Sequence, residues 1–95
     1  MTQTERIKYY ECILDRTSAA AARLEAAIEE FEAVQPLVGE LSDYYSSKKW
    51  RRDFEDDGAG KFPNDLKRGV LSEDAVYDAL TENDRLLSVI RDQGI

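Results

Sequence analysis

Histidine is absent from this sequence of 95 residues, which also holds a single cysteine and two prolines. Without histidine, the chain lacks the commonest general base, the commonest zinc ligand and the usual pH switch near neutrality. One cysteine, Cys12, cannot form an intrachain disulfide and is typical of a protein from a reducing compartment. These absences weaken the hypothesis of an enzyme, and we expect no catalytic residue, no cofactor and no metal ion.

Long apolar runs are also missing, since no segment approaches the 18 or so apolar residues that a membrane-spanning helix needs. The first residues, from Met1 to Arg6, contain no apolar stretch and predict no signal peptide. We therefore expect a cytoplasmic protein without a membrane partner. The formal net charge of −7 disfavours nucleic acid as a partner, because nucleic acid is itself densely negative.

The composition is that of one small folded domain over residues 1–95. Hydrophobic residues make up 42% of the chain, which is enough for a core, and charged residues make up 35%, which is typical of helices with wide solvated faces. A domain of this length buries only a modest core. Self-association is therefore one expected way of acting.

Apolar residues recur at spacings of three and four from Thr4 to Val38, and this periodicity predicts a long amphipathic helix. Thr2 or Thr4 is the expected N-cap. Pro36 is expected to end or kink the helix, with a break at Val34–Gln35, because proline lacks a backbone donor and restricts the preceding residue. The stripe occupies two heptad positions, one with Ile7, Leu14, Ala21 and Ile28, the other with Tyr10, Thr17, Leu24, Phe31 and Val38.

Shorter helices are predicted in the rest of the chain. One helix begins at Pro36 and ends near Tyr45, and Lys48 to Asp57 follows as a short helix that buries Trp50 and Phe54. A turn with one helical turn at 65–68 comes next. Ser72 caps the last helix, which reaches about Asp92. The apolar side of that helix holds Val76, Leu80, Asn83, Leu87 and Ile90.

These elements predict an all-α fold. We expect one long N-terminal amphipathic helix, packed antiparallel against the shorter helices in the manner of a three-helix bundle.

The acidic stretch from Asp53 to Asn64 resembles a calcium-binding loop at its start. Asp53, Glu55 and Asp57 stand at the first, third and fifth positions, and Gly58 follows at the sixth. The twelfth position holds Asn64 instead of the bidentate glutamate. An acidic helix end followed by a glycine-rich turn is therefore the favoured interpretation.

The segment Lys48-Lys49-Trp50-Arg51-Arg52 places four cations around an aromatic ring, a combination that can bind phosphates and stack on a base. Acidic residues follow at once, and three helical pairs would neutralise the cations internally. These expected pairs are Lys49–Asp53, Arg51–Glu55 and Arg52–Asp56. Trp50 is expected to be a core residue. A nucleic-acid accessory role for residues 48–52 with Lys67 and Arg68 stays as the alternative function.

Five segments together resemble a family of short bacterial helical proteins, domain of unknown function 4298. They are Leu66–Asp74, Leu41–Tyr45, Trp50-Arg51, Phe31–Pro36 and Ala59–Pro63. The resemblance covers most of the chain and implies a small bacterial helical domain. It implies no activity, cofactor or catalytic residue.

The leading functional hypothesis is a non-catalytic module that binds another protein or a second copy of itself. Aromatic and arginine side chains dominate the energetics of protein interfaces, which singles out the region around Trp50. The candidate interaction surface consists of Tyr44, Tyr45, Trp50, Arg51, Arg52, Lys67 and Arg68.

Overall fold

A computed structural model describes residues 1–94 and confirms the all-α class, with no strand in that range. Helix α1 spans Gln3–Tyr45, α2 spans Lys48–Gly58 and α3 spans Glu73–Asp92. A short 3-10 helix, Gly69–Leu71, precedes α3. Within residues 1–94, no helix combines the length and the apolar character that crossing a bilayer demands.

The start of α1 is fixed by a reciprocal cap. The backbone N–H of Glu5 donates to Oγ1 of Thr2 at 3.2 Å, and the N–H of Thr2 donates to Oε1 of Glu5 at 3.5 Å. This pairing satisfies backbone donors that have no partner within the helix. It confirms Thr2 as the N-cap.

The predicted break at Pro36 is wrong, because α1 continues through it to Tyr45. A proline inside a helix removes one hydrogen bond and costs about 3 kcal/mol, which the long run of helix formers before it, residues 19–33, can offset. Gln35 adds a local contact, since its Nε2 donates to the backbone oxygen of Phe31 at 3.0 Å. Pro36 instead marks the boundary between two compact units, Met1–Pro36 and Leu37–Ile95.

The first unit is a single helix with an apolar seam along it. All side chains from residue 1 to residue 27 are exposed, and Ile28 and Phe31 are half-buried. The heptad spacing places the seam on one face of this helix. The seam consists of Ile7, Tyr10, Leu14, Thr17, Ala21, Leu24, Ile28 and Phe31.

The second unit has a small core around the 3-10 helix, which contacts both α2 and α3. Of the residues described in this unit, 37–94, three apolar side chains are buried: Trp50, Leu71 and Val76, with 7%, 8% and 4% of their surface exposed. The last turn of α1 joins this unit through Tyr44 and Tyr45. These side-chain contacts are the packing of α1 seen in the described part of this unit, where α2 and α3 each pack on the 3-10 helix and not side by side as in an antiparallel bundle.

Helix α2 agrees with the predicted boundaries to within one residue. Ser47 caps it by accepting from the backbone N–H of Trp50 at 3.2 Å, and its own hydroxyl donates to the carbonyl of Tyr44 at 2.6 Å. The burial of Trp50 is confirmed. The predicted burial of Phe54 is wrong: 42% of this side chain is exposed, and one face of its ring stacks on Trp50.

The connection from α2 to the 3-10 helix contains no helical turn at 65–68, so that prediction is wrong. A tight turn forms earlier, where the N–H of Leu66 donates to the carbonyl of Pro63 at 3.1 Å. Helix α2 ends at Gly58, and Gly60 adopts a φ of 72° that favours glycine.

Helix α3 follows the sequence prediction closely. The hydroxyl of Ser72 accepts from the N–H of Ala75 at 3.3 Å, which confirms the N-cap. Val76 and Asn83 are buried, and Leu80, Leu87 and Ile90 are half-buried, so the predicted apolar side is confirmed. This face of α3 therefore belongs to the core of the second unit.

Candidate functional site

All seven residues predicted as an interaction surface lie in the second unit, where the structure divides them between core and surface. Trp50 is buried, and Tyr44, Tyr45 and Arg68 are half-buried. The other three, Arg51, Arg52 and Lys67, are exposed. A surface of this kind can offer cations to a partner, while the aromatic rings serve mainly the fold.

Trp50 links several elements of the second unit. Its indole Nε1 donates to the carbonyl of Val70 at 2.9 Å, which ties α2 to the 3-10 helix. The ring of Tyr45 meets it edge to face, with centroids 5.1 Å apart. Phe54 stacks on it at 5.2 Å. Trp50 is thus a satisfied core residue, and its ring is not available for stacking on a base.

Tyr44 is joined to Asp53 by a short hydrogen bond between α1 and α2. The Tyr44 hydroxyl donates to Oδ2 of Asp53 at 2.5 Å. This hydrogen bond, followed by burial and by the negative charge of the carboxylate, raises the pKa of Tyr44 from its ordinary 10.0 to about 12. At neutral pH the hydroxyl therefore remains a donor, which suits a structural contact rather than acid–base catalysis.

Replacing Tyr44 by phenylalanine should lower the free energy of unfolding by about 1–2 kcal/mol, because Asp53 loses its donor. The folded pKa lies above that of an unfolded tyrosine, so the contact contributes fully below pH 10 and is lost as the pH rises toward 12. Absorbance titration should show one tyrosine with a midpoint near 12, absent from the variant. Tyr77→Phe, at a side chain that is 62% exposed, is the matched control and should retain that midpoint.

Two ion pairs connect α2 to the segment that follows it. Nη1 of Arg68 lies 2.7 Å from Oδ1 of Asp57, and both side chains are half-buried. Nζ of Lys61 lies 3.2 Å from Oδ1 of Asp56. Arg68 is therefore already engaged with a carboxylate, and of the basic pair at 67–68 only Lys67 has no ion-pair partner among residues 1–94.

The three predicted ion pairs within α2 are wrong. Within the described chain, no carboxylate lies within 4.0 Å of the charged nitrogens of Lys49, Arg51 or Arg52. Two of the three acidic residues have other partners, since Asp53 accepts from Tyr44 and Asp56 pairs with Lys61. The cations of residues 48–52 are consequently exposed to solvent.

The three acidic residues that resemble the start of a calcium loop lie inside helix α2. Asp53, Glu55 and Asp57 are spaced along a regular helix, and two of them already bind Tyr44 and Arg68. Across residues 1–94, no three side chains of the metal-binding types converge. This placement of the three carboxylates within α2 agrees with the favoured interpretation of an acidic helix end.

A surface cavity of about 300 Å³ lies beside the Tyr44–Asp53 contact. Its apolar side is formed in part by Leu66 and Leu71, and Lys67 and Arg68 contribute charge. Of the polar groups that line it, Tyr44 and Asp53 bind each other, and Arg68 binds Asp57, which lies outside the cavity. We assign no ligand to this cavity.

The seam of the first unit is the more prominent exposed feature. Ile7, Tyr10, Leu14 and Leu24 each have between 56% and 59% of their surface exposed. The hydroxyl of Thr17 donates to the carbonyl of Ile13 at 2.8 Å, so its polar group is satisfied within its own helix. The candidate set drawn from the aromatic and basic residues omitted these side chains, although their heptad spacing was the available signal.

Comparison with known sequences identifies one family, described as a domain of unknown function (DUF4298), which matches residues 7–93. The chain belongs to the DUF4298 family. This confirms the resemblance noted in the sequence. No curated protein and no solved structure shows significant similarity to the chain.

In this DUF4298 protein, the family match begins at Ile7, the first residue of the seam, and ends at Gln93, just after α3. It therefore includes the whole seam of the first unit and the buried residues of the second. Both the candidate interaction surface and the seam lie within the family domain.

Proposed function

We propose that this protein is a small, non-catalytic helical module that acts by self-association through the seam of α1. The observation that carries this proposal is the exposure of four large apolar side chains at heptad spacing, Ile7, Tyr10, Leu14 and Leu24. We further propose that it works in the bacterial cytoplasm. The resemblance to a family of bacterial proteins supports the bacterial origin, and the single cysteine supports a reducing compartment.

Exposed apolar residues scattered singly are normal on protein surfaces, whereas a contiguous row of them is typical of an interface. The seam is such a row, since it occupies both heptad positions from Ile7 to Phe31. Complete burial of one leucine or isoleucine side chain contributes about 1.5–3 kcal/mol. Association along the seam would therefore repay the entropy that two chains lose on pairing.

A non-catalytic role is supported by the polar contacts of the second unit. Asp53 and Asp57 accept from Tyr44 and Arg68 and so hold the fold together. The raised pKa of Tyr44 removes it further from acid–base chemistry near neutral pH. The carboxylates, the hydroxyl and the guanidinium of these residues therefore bind one another within the fold and need no substrate as a partner.

Sedimentation velocity of the full chain over a wide concentration range tests the proposed function. The mean mass should rise from that of the 10.8 kDa chain toward twice that value as the concentration increases. A chain that stays monomeric up to millimolar concentrations would contradict self-association.

A nucleic-acid accessory role is the second candidate, and it is favoured by one observation: the cations of Lys48, Lys49, Arg51 and Arg52 are exposed and lack ion pairs within residues 1–94. Because Trp50 is buried, binding would depend on phosphate contacts. With about four phosphates neutralised, affinity for single-stranded RNA should fall about 50-fold between 50 and 200 mM salt.

Charge reversal of Arg51 and Arg52 to glutamate should then abolish retention of the RNA at low salt. Reversal of Lys8 and Arg91 changes the net charge equally at other sites and is the matched control. Failure of the unaltered chain to retain RNA at 50 mM salt, or equal losses in the two variants, would remove this candidate.

A further inference from the structure

On the basis of the self-association proposed above, we infer that the second copy lies antiparallel on the seam, in the register that places Leu14 of one copy against Leu24 of the other. The partner is a second copy of this chain, and the interface is the seam of the first unit. Side-chain size and the distribution of charge along α1 both favour this arrangement over a parallel one.

The antiparallel register pairs every seam residue with one from the other heptad position. The resulting layers are Ile7 with Phe31, Tyr10 with Ile28, Leu14 with Leu24, and Thr17 with Ala21, each occurring twice. Each aromatic ring then faces an aliphatic side chain. A parallel pair would instead place Tyr10 on Tyr10 and Phe31 on Phe31, which gives layers of uneven thickness that two close-packed helices cannot fill equally well.

The middle of the seam consists of small residues, which lets two helices approach closely at the symmetry axis. Thr17 and Ala21 form the central layers, and the small residues Ser18 and Ala20 flank them. The Thr17 hydroxyl already donates to the carbonyl of Ile13. Burial of Thr17 would therefore leave no donor without a partner.

Charge is distributed unevenly along the first unit. Residues 3–23 carry four basic and three acidic side chains, a net charge of +1, whereas residues 24–36 carry four acidic side chains and no basic one, a net charge of −4. A parallel pair would bring the two acidic segments together. The antiparallel pair brings each acidic segment beside the segment that holds the cations, and it also opposes the two helix dipoles.

One contact between charged residues at the edge of the seam is repulsive in the antiparallel arrangement and attractive in the parallel one. In the antiparallel register, Glu11 of one copy lies near Glu25 of the other, where the like charges repel. In a parallel pair, Glu11 would lie near Arg6, where the charges attract. Glu11→Lys should therefore tighten an antiparallel dimer about fivefold and weaken a parallel one.

Disulfide trapping tests the register directly in the full chain. Cys12, which is exposed, is first replaced by serine, and two single variants, Thr17→Cys and Ala21→Cys, are then made and mixed in a glutathione buffer. Both positions hold small residues, so folding should be preserved, and circular dichroism checks the helix content. Mass spectrometry separates the mixed disulfide from the two symmetric ones.

The mixed disulfide should exceed each symmetric one about tenfold, because only Thr17 and Ala21 face each other across the antiparallel seam and a disulfide needs Cα atoms closer than about 7 Å. Predominance of the two symmetric disulfides, together with weaker dimerisation of Glu11→Lys, would establish a parallel pair and overturn the inference while self-association stands. A dimer with no disulfide would show that the copies meet elsewhere and would overturn the inference. A monomer in sedimentation would overturn the proposed function as well.

Discussion

Replacing Trp50 by alanine should destabilise the second unit by about 3–5 kcal/mol, the usual cost of truncating a large buried aromatic side chain. Among residues 37–94, the buried apolar side chains are Trp50, Leu71 and Val76 alone. Loss of the indole also leaves the carbonyl of Val70 without its donor and deprives Tyr45 of its edge-to-face contact. Small domains have a total stability of about 5–15 kcal/mol. Many backbone amides of the second unit should therefore lose their protection against hydrogen exchange.

Amide hydrogen exchange measures this effect locally. Protection of the amides in α2 and in the first half of α3 should fall by about two to four orders of magnitude in Trp50→Ala, in line with the expected loss of stability. Trp50→Phe keeps an aromatic ring but loses the indole N–H, so it should have an intermediate effect. Tyr77→Ala, at a side chain that is 62% exposed in the same unit, should change protection little. Equal effects of Trp50→Ala and Tyr77→Ala would contradict the assignment of Trp50 to the core.

The double substitution of Leu14 and Leu24 by glutamate should weaken self-association by at least about a hundredfold. Each copy loses two large apolar side chains from the seam, and their burial contributes about 1.5–3 kcal/mol apiece. In the antiparallel register the new carboxylates would also face one another across the interface. Like charges that lose their hydration without a partner oppose association strongly.

The matched control changes Ala19 and Ala26 to glutamate on the opposite face of the same helix. It adds the same charge to the same segment and keeps the seam intact, so its dissociation constant should stay within a few fold of that of the unaltered chain. Sedimentation equilibrium gives both constants. A dimer that survives in Leu14→Glu/Leu24→Glu would place the interface outside the seam.

Local sequence signals predicted the helices well because the forces that set them are local. The caps at Thr2 and Ser72 depend on side chains three residues from the amides that they bind. The apolar side of α3 follows from its periodicity alone. Pro36 shows the limit of this reasoning, since the rule for proline is local but the propensity of a helix of 43 residues outweighs it.

The contacts of the second unit could not be predicted from spacing, because they join residues from different elements. Tyr44 and Asp53 are nine positions apart, and Arg68 and Asp57 are eleven apart. The four-residue spacing predicted an ion pair between Asp53 and Lys49. In the structure, the end of α1 places the Tyr44 hydroxyl next to Asp53 instead. Exposed ion pairs within a helix contribute only about 0.3–0.5 kcal/mol. They are therefore too weak to determine which partner a carboxylate binds when the tertiary fold brings another donor close to it.

The same difference explains why the candidate surface did not include the residues of the seam. Aromatic and arginine residues are enriched at interfaces, so residue type pointed to Trp50 and its neighbours. The structure uses that ring inside the second unit and leaves the aliphatic residues of α1 exposed. Residue type alone cannot distinguish an anchor for a partner from an anchor for the fold.

The burial of Trp50 supplies the protein with a built-in fluorescent reporter, because it is the only tryptophan in the chain. Excitation at the red edge of the absorption band bypasses the five tyrosines, so the emission comes from a single site in the second unit. Its wavelength should be blue-shifted while the indole is enclosed and should move to the red when that unit opens. No tryptophan lies on the seam, so folding of the second unit can be followed optically, without a label, in the same sample in which the mass of the assembly is measured.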